Sequence, residues 1–493
     1  MASALGSKHP SGLYVLFLAE MWERFSYYGM RALLVFYMTR HFLFGDQPAY
    51  AVYGSYTALV YATPVLGGML ADRFLGYRKA VLTGGVLMAL GHFAMAVDHL
   101  QVFYLALALL ICGNGFFKPN ISTIVGRLYP PGDPRRDSGF TIFYMGINLG
   151  AGAAPLVCGY LGETYGWHWG FGLAGIGMLF GLLVFWRGQP LLGGVADPPD
   201  AERLRQSVLP GVNRELGIYL ATAAAVAVCW QLVQHSVAVG SILVLTGVVV
   251  VVALGATMLI RCERVERDRL TVVSVLILLS VVFWAFFEQA GSSINLFTDR
   301  NVDRTVMGWT VPASLFQSVN PGYIILLAPL FAGLWVRLAR AGLEPSTPTK
   351  FAFGVIQLGL GFAMLYLGAR SADQNGMVAL GWLFLGYLLH TTGELCLSPV
   401  GLSMVTKLSP ARIVGWMMGC WFLSSAFAQY IGGLIAMLAG ARSTATPADQ
   451  APSPAETVML YGSVFGKLAL VALGVGLALL AFVPALKRRM HDV

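Results

Sequence analysis

Charged side chains are scarce in this sequence of 493 residues. Asp, Glu, Lys and Arg make up 11% of it, whereas hydrophobic residues make up 57%. Apolar runs long enough to cross a bilayer recur from one end to the other, which is typical of membrane proteins and not of soluble domains. The composition therefore predicts a polytopic membrane protein with an all-α fold.

Several catalytic and binding motifs are missing from the sequence. It contains no HExxH, DxD or CxxC pattern, and the run GSVFGKL at 462–468 lacks the spacing and the Ser or Thr of a phosphate-binding loop. The six cysteines lie in or at the ends of apolar runs, so we interpret them as packing residues and expect neither disulfides nor zinc. These absences disfavour an integral membrane enzyme, such as a lipid-modifying transferase or a protease, and an ATP-driven pump. We expect no cofactor and no metal.

Fourteen apolar runs predict fourteen transmembrane helices. Lys and Arg concentrate in alternate loops, and the positive-inside rule then places both termini in the cytoplasm. The net charge of +8 therefore reflects topology and does not indicate nucleic-acid binding. The polar start of the chain leads directly into the first run, so no cleavable signal peptide is predicted. The bases that fall outside are Arg40, Arg300, Arg304, Arg370 and Arg442. The predicted spans are 13–39, 50–70, 80–98, 101–127, 138–160, 169–187, 216–236, 240–260, 271–297, 309–337, 350–369, 377–406, 413–439 and 458–485.

The spans are arranged as six, two and six. A stretch rich in Gly, Pro and charge at 188–214 follows the sixth span and predicts a cytoplasmic linker. The next two spans carry no acidic or basic side chain, so we expect these extra helices to pack peripherally. We assign an N-terminal six-helix bundle to 1–187, the linker with the two extra helices to 188–270, and a C-terminal six-helix bundle to 271–493. Two six-helix halves about a midplane site are the architecture of major facilitator transporters.

The loop after the second span supports that architecture. GGMLADRFLGYRKA at 67–80 resembles the G-x-L-A-D-R-x-G-R-R loop of the major facilitator superfamily. We expect Asp72 to accept hydrogen bonds from a neighbouring helix N-terminus. The bases Arg73, Arg78 and Lys79 are expected to hold the cytoplasmic face together.

The first span carries charges at membrane depth, where each costs roughly 2.5–3.5 kcal/mol on insertion scales. At about 100° per residue, Glu20, Glu23, Arg24, Tyr27 and Arg31 fall on one face of a helix. We interpret this face as the wall of a water-filled pathway that handles charge. The alternative interpretation is a structural ion pair between neighbouring helices.

Further charged residues lie within later spans. Lys118 occurs in GNGFFKPNIST, where Pro119 removes a backbone donor and favours a kink that breaks the helix. Glu288 and Glu394 are the other acids at membrane depth. Counting about 1.5 Å per residue, Arg31 and Glu288 lie at similar heights, about 27 and 25 Å from the cytoplasmic ends of their spans. The two are therefore expected to pair in an external gate.

Segments in order along the chain resemble the proton-dependent oligopeptide transporter family, known as POT or PTR. EMWERFSYYG is similar to the family's E-x-x-E-R-F-x-Y-Y-G, and FFKPNIST and FYMGINLG resemble its second signature region. FFEQAGSSINLF, FQSVNPG, GELCLSPVGLSMVTKLSP and GCWFLSSAFAQ resemble segments of its C-terminal half. The resemblance covers the whole chain and extends to the two extra helices of bacterial members. It implies a monomeric proton-coupled symporter of the bacterial plasma membrane, which imports di- and tripeptides, and also peptide-like drugs, by alternating access driven by the proton gradient.

The resemblance also implies roles for individual residues. The residues that would couple protons are Glu20, Glu23, Arg24, Lys118 and Glu288. The residues that would bind the peptide carboxylate are Arg24, Arg31 and Lys118. Those that would bind its amine are Glu394, Asn148 and Asn320. The residues that would line side-chain pockets are Tyr27, Tyr28, Tyr61, Tyr144 and Trp421. His390 is left out of the site because a lone histidine is more often interhelical glue, and Lys467 is given no role.

Two other transporter classes remain open. These are a drug/proton antiporter and a carrier of anions such as nitrate. Either needs fewer groups that bind the second charged end of a zwitterion. Glu394, with the amides of Asn148 and Asn320, disfavours a purely anionic substrate.

Overall fold

The computed structural model describes residues 8–130, 132–440 and 453–491. Arg442, which we expected outside the membrane, lies outside the described residues, as do residues 1–7 and 492–493 at the two ends. The described chain is almost entirely helical. Its α-helices are α1 (Gly12–Phe36), α2 (Asp46–Leu70), α3 (Gly76–Met95), α4 (Leu100–Arg127), α5 (Arg136–Ala154), α6 (Tyr160–Tyr165), α7 (Trp167–Arg187), α8 (Ala201–Arg205), α9 (Arg214–Gln234), α10 (Ser236–Arg261), α11 (Arg264–Phe287), α12 (Ser293–Asn301), α13 (Val319–Arg340), α14 (Thr347–Arg370), α15 (Leu380–Leu408), α16 (Val414–Ala439) and α17 (Pro454–Met490).

Short strands occur only as pairs in the part of the chain that the structure describes. Two pairs are antiparallel, and one pair, between β3 and β6, is parallel. The strands are β1 (Ser207–Leu209), β2 (Val212–Asn213), β3 (Val302–Asp303), β4 (Thr305–Val306), β5 (Trp309–Thr310) and β6 (Val378–Ala379).

The helices occupy all fourteen predicted spans. By length and composition, ten helical segments of the described chain are long and apolar enough to cross a membrane. The other four predicted spans lie on α1, α2, α3 and α15, which have 20–29 residues each, and about 20 residues suffice to cross the hydrocarbon core. The predicted all-α membrane fold is confirmed.

Two details differ from the prediction. We predicted a single helix at 271–297, but the structure has two helices there, because a 3₁₀ turn at Glu288–Gly291 separates α11 from α12. Conversely, α4 runs without interruption through Pro119, so the expected break is absent from this fully described helix. A proline removes one backbone donor only, and the amide of Asn120 supplies a neighbouring hydrogen bond, to the carbonyl of Phe116 at 2.7 Å.

Backbone contacts divide the chain into two compact units. The first contains residues up to Leu34 together with Leu59–Gln234, and the second contains Val35–Ala58 together with residues from His235 onward. In the second unit α14 packs along α15 and α17. Gly354 and Gly393 make this approach possible, because a Cβ at Gly393 would lie 2.7 Å from the carbonyl oxygen of Gly354.

The two extra helices are each anchored within their own unit. In the first unit Lys79 of α3 binds both carboxylate oxygens of Glu215 of α9 at 2.6 Å. In the second unit the hydroxyl of Tyr430 on α16 donates to the carbonyl of Ser236 of α10 at 3.0 Å. Most side chains of α10 are exposed, as expected of a helix that faces lipid.

Asp72 of the 67–80 loop contacts the start of a neighbouring helix through a side chain of that helix. Its carboxylate accepts from the hydroxyl of Tyr77, in the first turn of α3, at 2.6 Å. Tyr77 comes within reach because residues Ala71–Leu75 form a π-helical turn that ends at Gly76, with φ of +70°. Arg78 does hold the face together, because it binds Asp197 of the linker at 2.9 Å.

Candidate functional site

Three buried charges of α1 form a single cluster. Arg24 lies between Glu20 and Glu23; its Nε is 3.2 Å from Oε1 of Glu20 and donates a short hydrogen bond to Oε2 of Glu23. All three residues are 2% exposed or less. Glu20 Oε2 and Arg24 Nη2 have no hydrogen-bond partner among the described residues. The cluster therefore has one more acid than base, and two of its buried polar atoms lack a hydrogen-bond partner in the described part of the chain. Such a cluster can accommodate a proton, a water or a ligand.

Glycines allow neighbouring helices to bury this face of α1. A Cβ at Gly150 of α5 would lie 2.2 Å from the carbonyl oxygen of Met21, and one at Gly146 would lie 2.9 Å from the ring of Phe17. On α7, a Cβ at Gly181 would lie 3.2 Å from the carbonyl oxygen of Ala19. The segment FYMGINLG therefore contributes close packing as well as its polar side chain.

One face of α4 connects the cluster to α2. The amide of Asn114 donates to Oε1 of Glu23 at 3.5 Å. One turn further along α4, the ammonium of Lys118 lies 4.2 Å from the centroid of the Tyr61 ring. This distance is within the range of a cation–π interaction. The structure thus brings Lys118, Tyr61 and the α1 cluster into one unit.

Two tyrosine rings of α1 lie close to its two arginines. The guanidinium carbon of Arg24 lies 5.4 Å from the ring centroid of Tyr27, and that of Arg31 lies 5.8 Å from the ring centroid of Tyr28. Arg31 is buried at 5% exposure. Both distances are within the range of a cation–π interaction.

The predicted residues of α5 lie in the same unit but less close together. Asn148 is 6% exposed, and its amide donates to the carbonyl of Tyr144 in its own helix at 3.1 Å. Tyr144 is 43% exposed. Its ring is therefore accessible from outside the packed core, and its contact with a substrate stays a prediction.

The second unit contains a separate acidic site. Asn320 of α13 donates through one amide nitrogen to Glu394 Oε2 and to Thr391 Oγ1 on α15, both at 3.0 Å. Glu394 is 7% exposed. Thr391 in turn donates to the carbonyl of Tyr387 at 2.7 Å, which fixes its hydroxyl. The expected association of Glu394 with Asn320 is therefore present, although sequence reasoning did not identify Thr391.

Three other residues of the sequence analysis lie in this unit, two of them predicted site residues. Glu288 is partly exposed and begins the 3₁₀ turn between α11 and α12. Trp421 lies against α15, where a Cβ at Gly401 would be 2.2 Å from its ring. His390 is 2% exposed, and its ring centroid is 4.6 Å from that of Phe362. His390 is therefore packed in the core of this unit, and its exclusion from the site stays a prediction.

Two ion pairs at the outer ends of helices were not predicted from the sequence. Asp46, at the start of α2, binds Arg300 of α12 through both carboxylate oxygens at 2.7 and 2.8 Å. Arg40, just after α1, forms a short ion pair with Asp299 of α12. The sequence predicts that Arg40 and Arg300 lie outside the membrane, but it does not indicate which acids they pair with. Only their pairing within the second unit distinguishes them.

Comparisons with known proteins agree with this architecture. A sequence model of the POT family matches residues 78–451. The chain belongs to the POT family. It is 40% identical to the peptide transporter YePEPT of Yersinia enterocolitica over 87% of each chain, and 32% identical to dipeptide and tripeptide permease B of Shigella dysenteriae over 98% of this chain and 96% of that one. A crystal structure of a peptide transporter POT variant in complex with alafosfalin is 38% identical and superposes with a TM-score of 0.83 over 98% of this chain and 96% of that one.

Membership in this family confirms the predicted family and fold. The protein is an integral membrane transporter of the major facilitator fold, and its relatives are transporters and not enzymes.

Proposed function

We propose that this protein is a proton-coupled symporter that imports di- and tripeptides by alternating access. It acts as a monomer in the bacterial plasma membrane with both termini in the cytoplasm, and peptide-like drugs are further substrates. The observation that carries the proposal is the buried cluster of Glu20, Glu23 and Arg24, which holds two acids against one base. The named peptide permeases among the relatives support peptides as the substrate class.

The cluster suits proton coupling because its charge is easily changed. Protonation of one glutamate leaves the other paired with Arg24 and alters the field at Asn114 and Lys118 on the facing side of α4. When Lys118 and Arg24 are released from the acids, they become available to a peptide carboxylate. Arg31 would contribute to the same positive potential.

Glu394 is proposed to bind the peptide amine. Its Oε2 already accepts from Asn320, and a carboxylate oxygen has room for further donors, such as an ammonium group. Asn148 would add an uncharged contact, and Tyr27, Tyr28, Tyr61, Tyr144 and Trp421 would line side-chain pockets. Arg31 and Glu288 are proposed to pair in the external gate when the inward-facing state forms.

The deciding experiment measures uptake of labelled dialanine into liposomes that contain the purified protein. Accumulation should require an inward proton gradient. Glu20→Gln and Glu23→Gln nearly preserve side-chain shape but remove a titratable group, so gradient-driven accumulation should fail in each while exchange without a gradient continues. Accumulation at the parent level in both variants would contradict the role of these glutamates in proton coupling. Uptake by the parent that does not depend on the gradient would contradict the proposal that the protein is a proton-coupled symporter.

The substrate assignment has its own test. An N-acetylated dipeptide lacks the ammonium group and should bind more weakly than the free dipeptide by about 2–5 kcal/mol if the site around Glu394 excludes water. Glu394→Gln should weaken binding of the free dipeptide and narrow the gap between the two forms. Competition against labelled peptide measures both quantities. Equal affinity of the parent for both forms would contradict the role of Glu394 and favour an anion carrier.

A further inference from the structure

A surface cavity occurs where α4 ends and α5 begins. Its volume is about 460 Å³. Arg127 is the last residue of α4 and Arg136 the first residue of α5, so two guanidinium groups from different helices meet in one depression. The lining residues are Gly126, Arg127, Tyr129, Pro130, Arg136 and Val195.

The charge of this cavity is not neutralised by acids of the protein. Within the described ranges neither Arg127 nor Arg136 forms an ion pair with a carboxylate, although other bases on the same face do. Those other pairs are Arg78 with Asp197 at 2.9 Å, Lys79 with Glu215 at 2.6 Å and Arg135 with Asp133 at 2.7 Å. Hydrogen bonds from Arg135 also lower the pKa of the Asp133 carboxyl group, so this acid is engaged by Arg135.

Neighbouring groups position both guanidiniums. The guanidinium carbon of Arg127 lies 4.4 Å from the ring centroid of Tyr77, and the Tyr77 hydroxyl is held by Asp72 at 2.6 Å. Gly126 leaves space for Arg136, since Nη2 of Arg136 lies 3.4 Å from where a Cβ of Gly126 would be. A planar guanidinium that is already positioned loses less entropy when it binds an anion.

The chemistry of the cavity selects its ligand. Two guanidiniums favour a phosphate, because each can present two N–H groups to its oxygens. The end of α4 and the start of α5 coincide with the ends of two predicted spans, on the face that the distribution of Lys and Arg assigns to the cytoplasm. Phospholipid headgroups occupy that level. We propose that this cavity binds the phosphate of an anionic phospholipid headgroup.

A bound headgroup would join two helices that carry the candidate site. The helix α4 carries Asn114 and Lys118, and α5 carries Asn148 together with Gly150, which packs against α1. A phosphate held by Arg127 and Arg136 fixes the end of one helix to the start of the other. The inference does not depend on the identity of the transported substrate, because lipid binding is measured without it.

The test titrates the purified full-length protein in neutral detergent with short-chain phosphatidylglycerol and, separately, with phosphatidylcholine. The double variant Arg127→Gln/Arg136→Gln is compared with Arg337→Gln/Arg340→Gln, which removes two exposed arginines from the end of α13 and serves as a charge-matched control. Phosphatidylglycerol should bind about 25-fold more weakly to the first variant, at roughly a fivefold loss per base near an anionic headgroup, and with unchanged affinity to the control. Arg136→Gln alone leaves the contact between Arg127 and Tyr77 intact and should give about a fivefold loss with an unchanged unfolding temperature.

Three results would overturn the proposal. An equal loss of affinity in the control variant would mean that net charge and not the cavity attracts the lipid. Equal binding of phosphatidylcholine and phosphatidylglycerol by the parent would exclude selection by charge. Displacement of the lipid by millimolar inorganic phosphate would identify the ligand as a free anion and not a headgroup.

Discussion

The ion pair between Asp46 and Arg300 offers a quantitative test of how the outer ends of the helices are held. Asp46 is the first residue of α2 and Arg300 lies in α12, and their side chains are 6% and 15% exposed. The contact is bidentate, and Arg300 also donates to the Tyr461 hydroxyl at 3.2 Å. The pair joins the start of α2 to α12 within the second unit.

The expected cost of breaking this pair follows from its burial. Removing one partner of a buried pair leaves an uncompensated charge, which typically costs about 3–5 kcal/mol. Asp46→Asn keeps one acceptor oxygen, and Arg300 keeps Tyr461, so we expect about 2–4 kcal/mol for the single variant. The double variant Asp46→Asn/Arg300→Gln leaves no buried charge and should cost less than the sum of the two single variants.

The assay is a double-mutant cycle on the free energy of unfolding, measured by denaturant titration in detergent. The coupling energy should be about 1.5–3 kcal/mol, because neighbours in one charge network are not additive. A charge exchange, Asp46→Arg with Arg300→Asp, should recover part of the loss. If the single variants add without coupling, or if the exchanged pair is less stable than either single variant, the contact does not hold these helix ends together.

Two further predictions concern helix packing. Gly150→Ala should destabilise the protein by about 1–3 kcal/mol, because its Cβ would lie 2.2 Å from the carbonyl oxygen of Met21. Gly172→Ala meets no atom within 4 Å and should leave the unfolding temperature unchanged or higher; equal losses in both variants would contradict the packing argument. Diamide should oxidise Cys112 and Cys229, whose sulfurs lie 3.9 Å apart, to a disulfide that joins α4 to α9. Fragments cut within 188–214 should then stay joined until they are reduced, and their separation before reduction would contradict the predicted proximity of α4 and α9.

The spans and the charged face of α1 could be predicted because they depend on local properties. Hydropathy over about 20 residues locates a span, and a helical repeat places Glu20, Glu23 and Arg24 together. The cluster they form in the structure has the geometry that this spacing requires. By contrast, the break after α11 at Glu288 was not predicted, although the polar run EQAGSS begins at that residue.

The partners of these residues could not be predicted from the sequence. Asn114 lies within the same GNGFFKPNIST segment as Lys118, yet its contact with Glu23 depends on how closely α4 approaches α1. That approach is set by tertiary packing. Thr391 likewise joins Asn320 because α13 and α15 are neighbours, which no local pattern records.

The two units carry different chemistry, and this difference bears on specificity. In the first, Arg24, Arg31 and Lys118 supply positive charge beside two acids that can be protonated; in the second, Glu394 supplies negative charge fixed by an amide. On the proposed function, a substrate with only one charged end satisfies one unit and leaves buried polar groups of the other without a partner, which costs free energy. A dipeptide carries both charges and meets both requirements. If both ends of the peptide are bound as proposed, their combined binding energy favours the conformation that binds both.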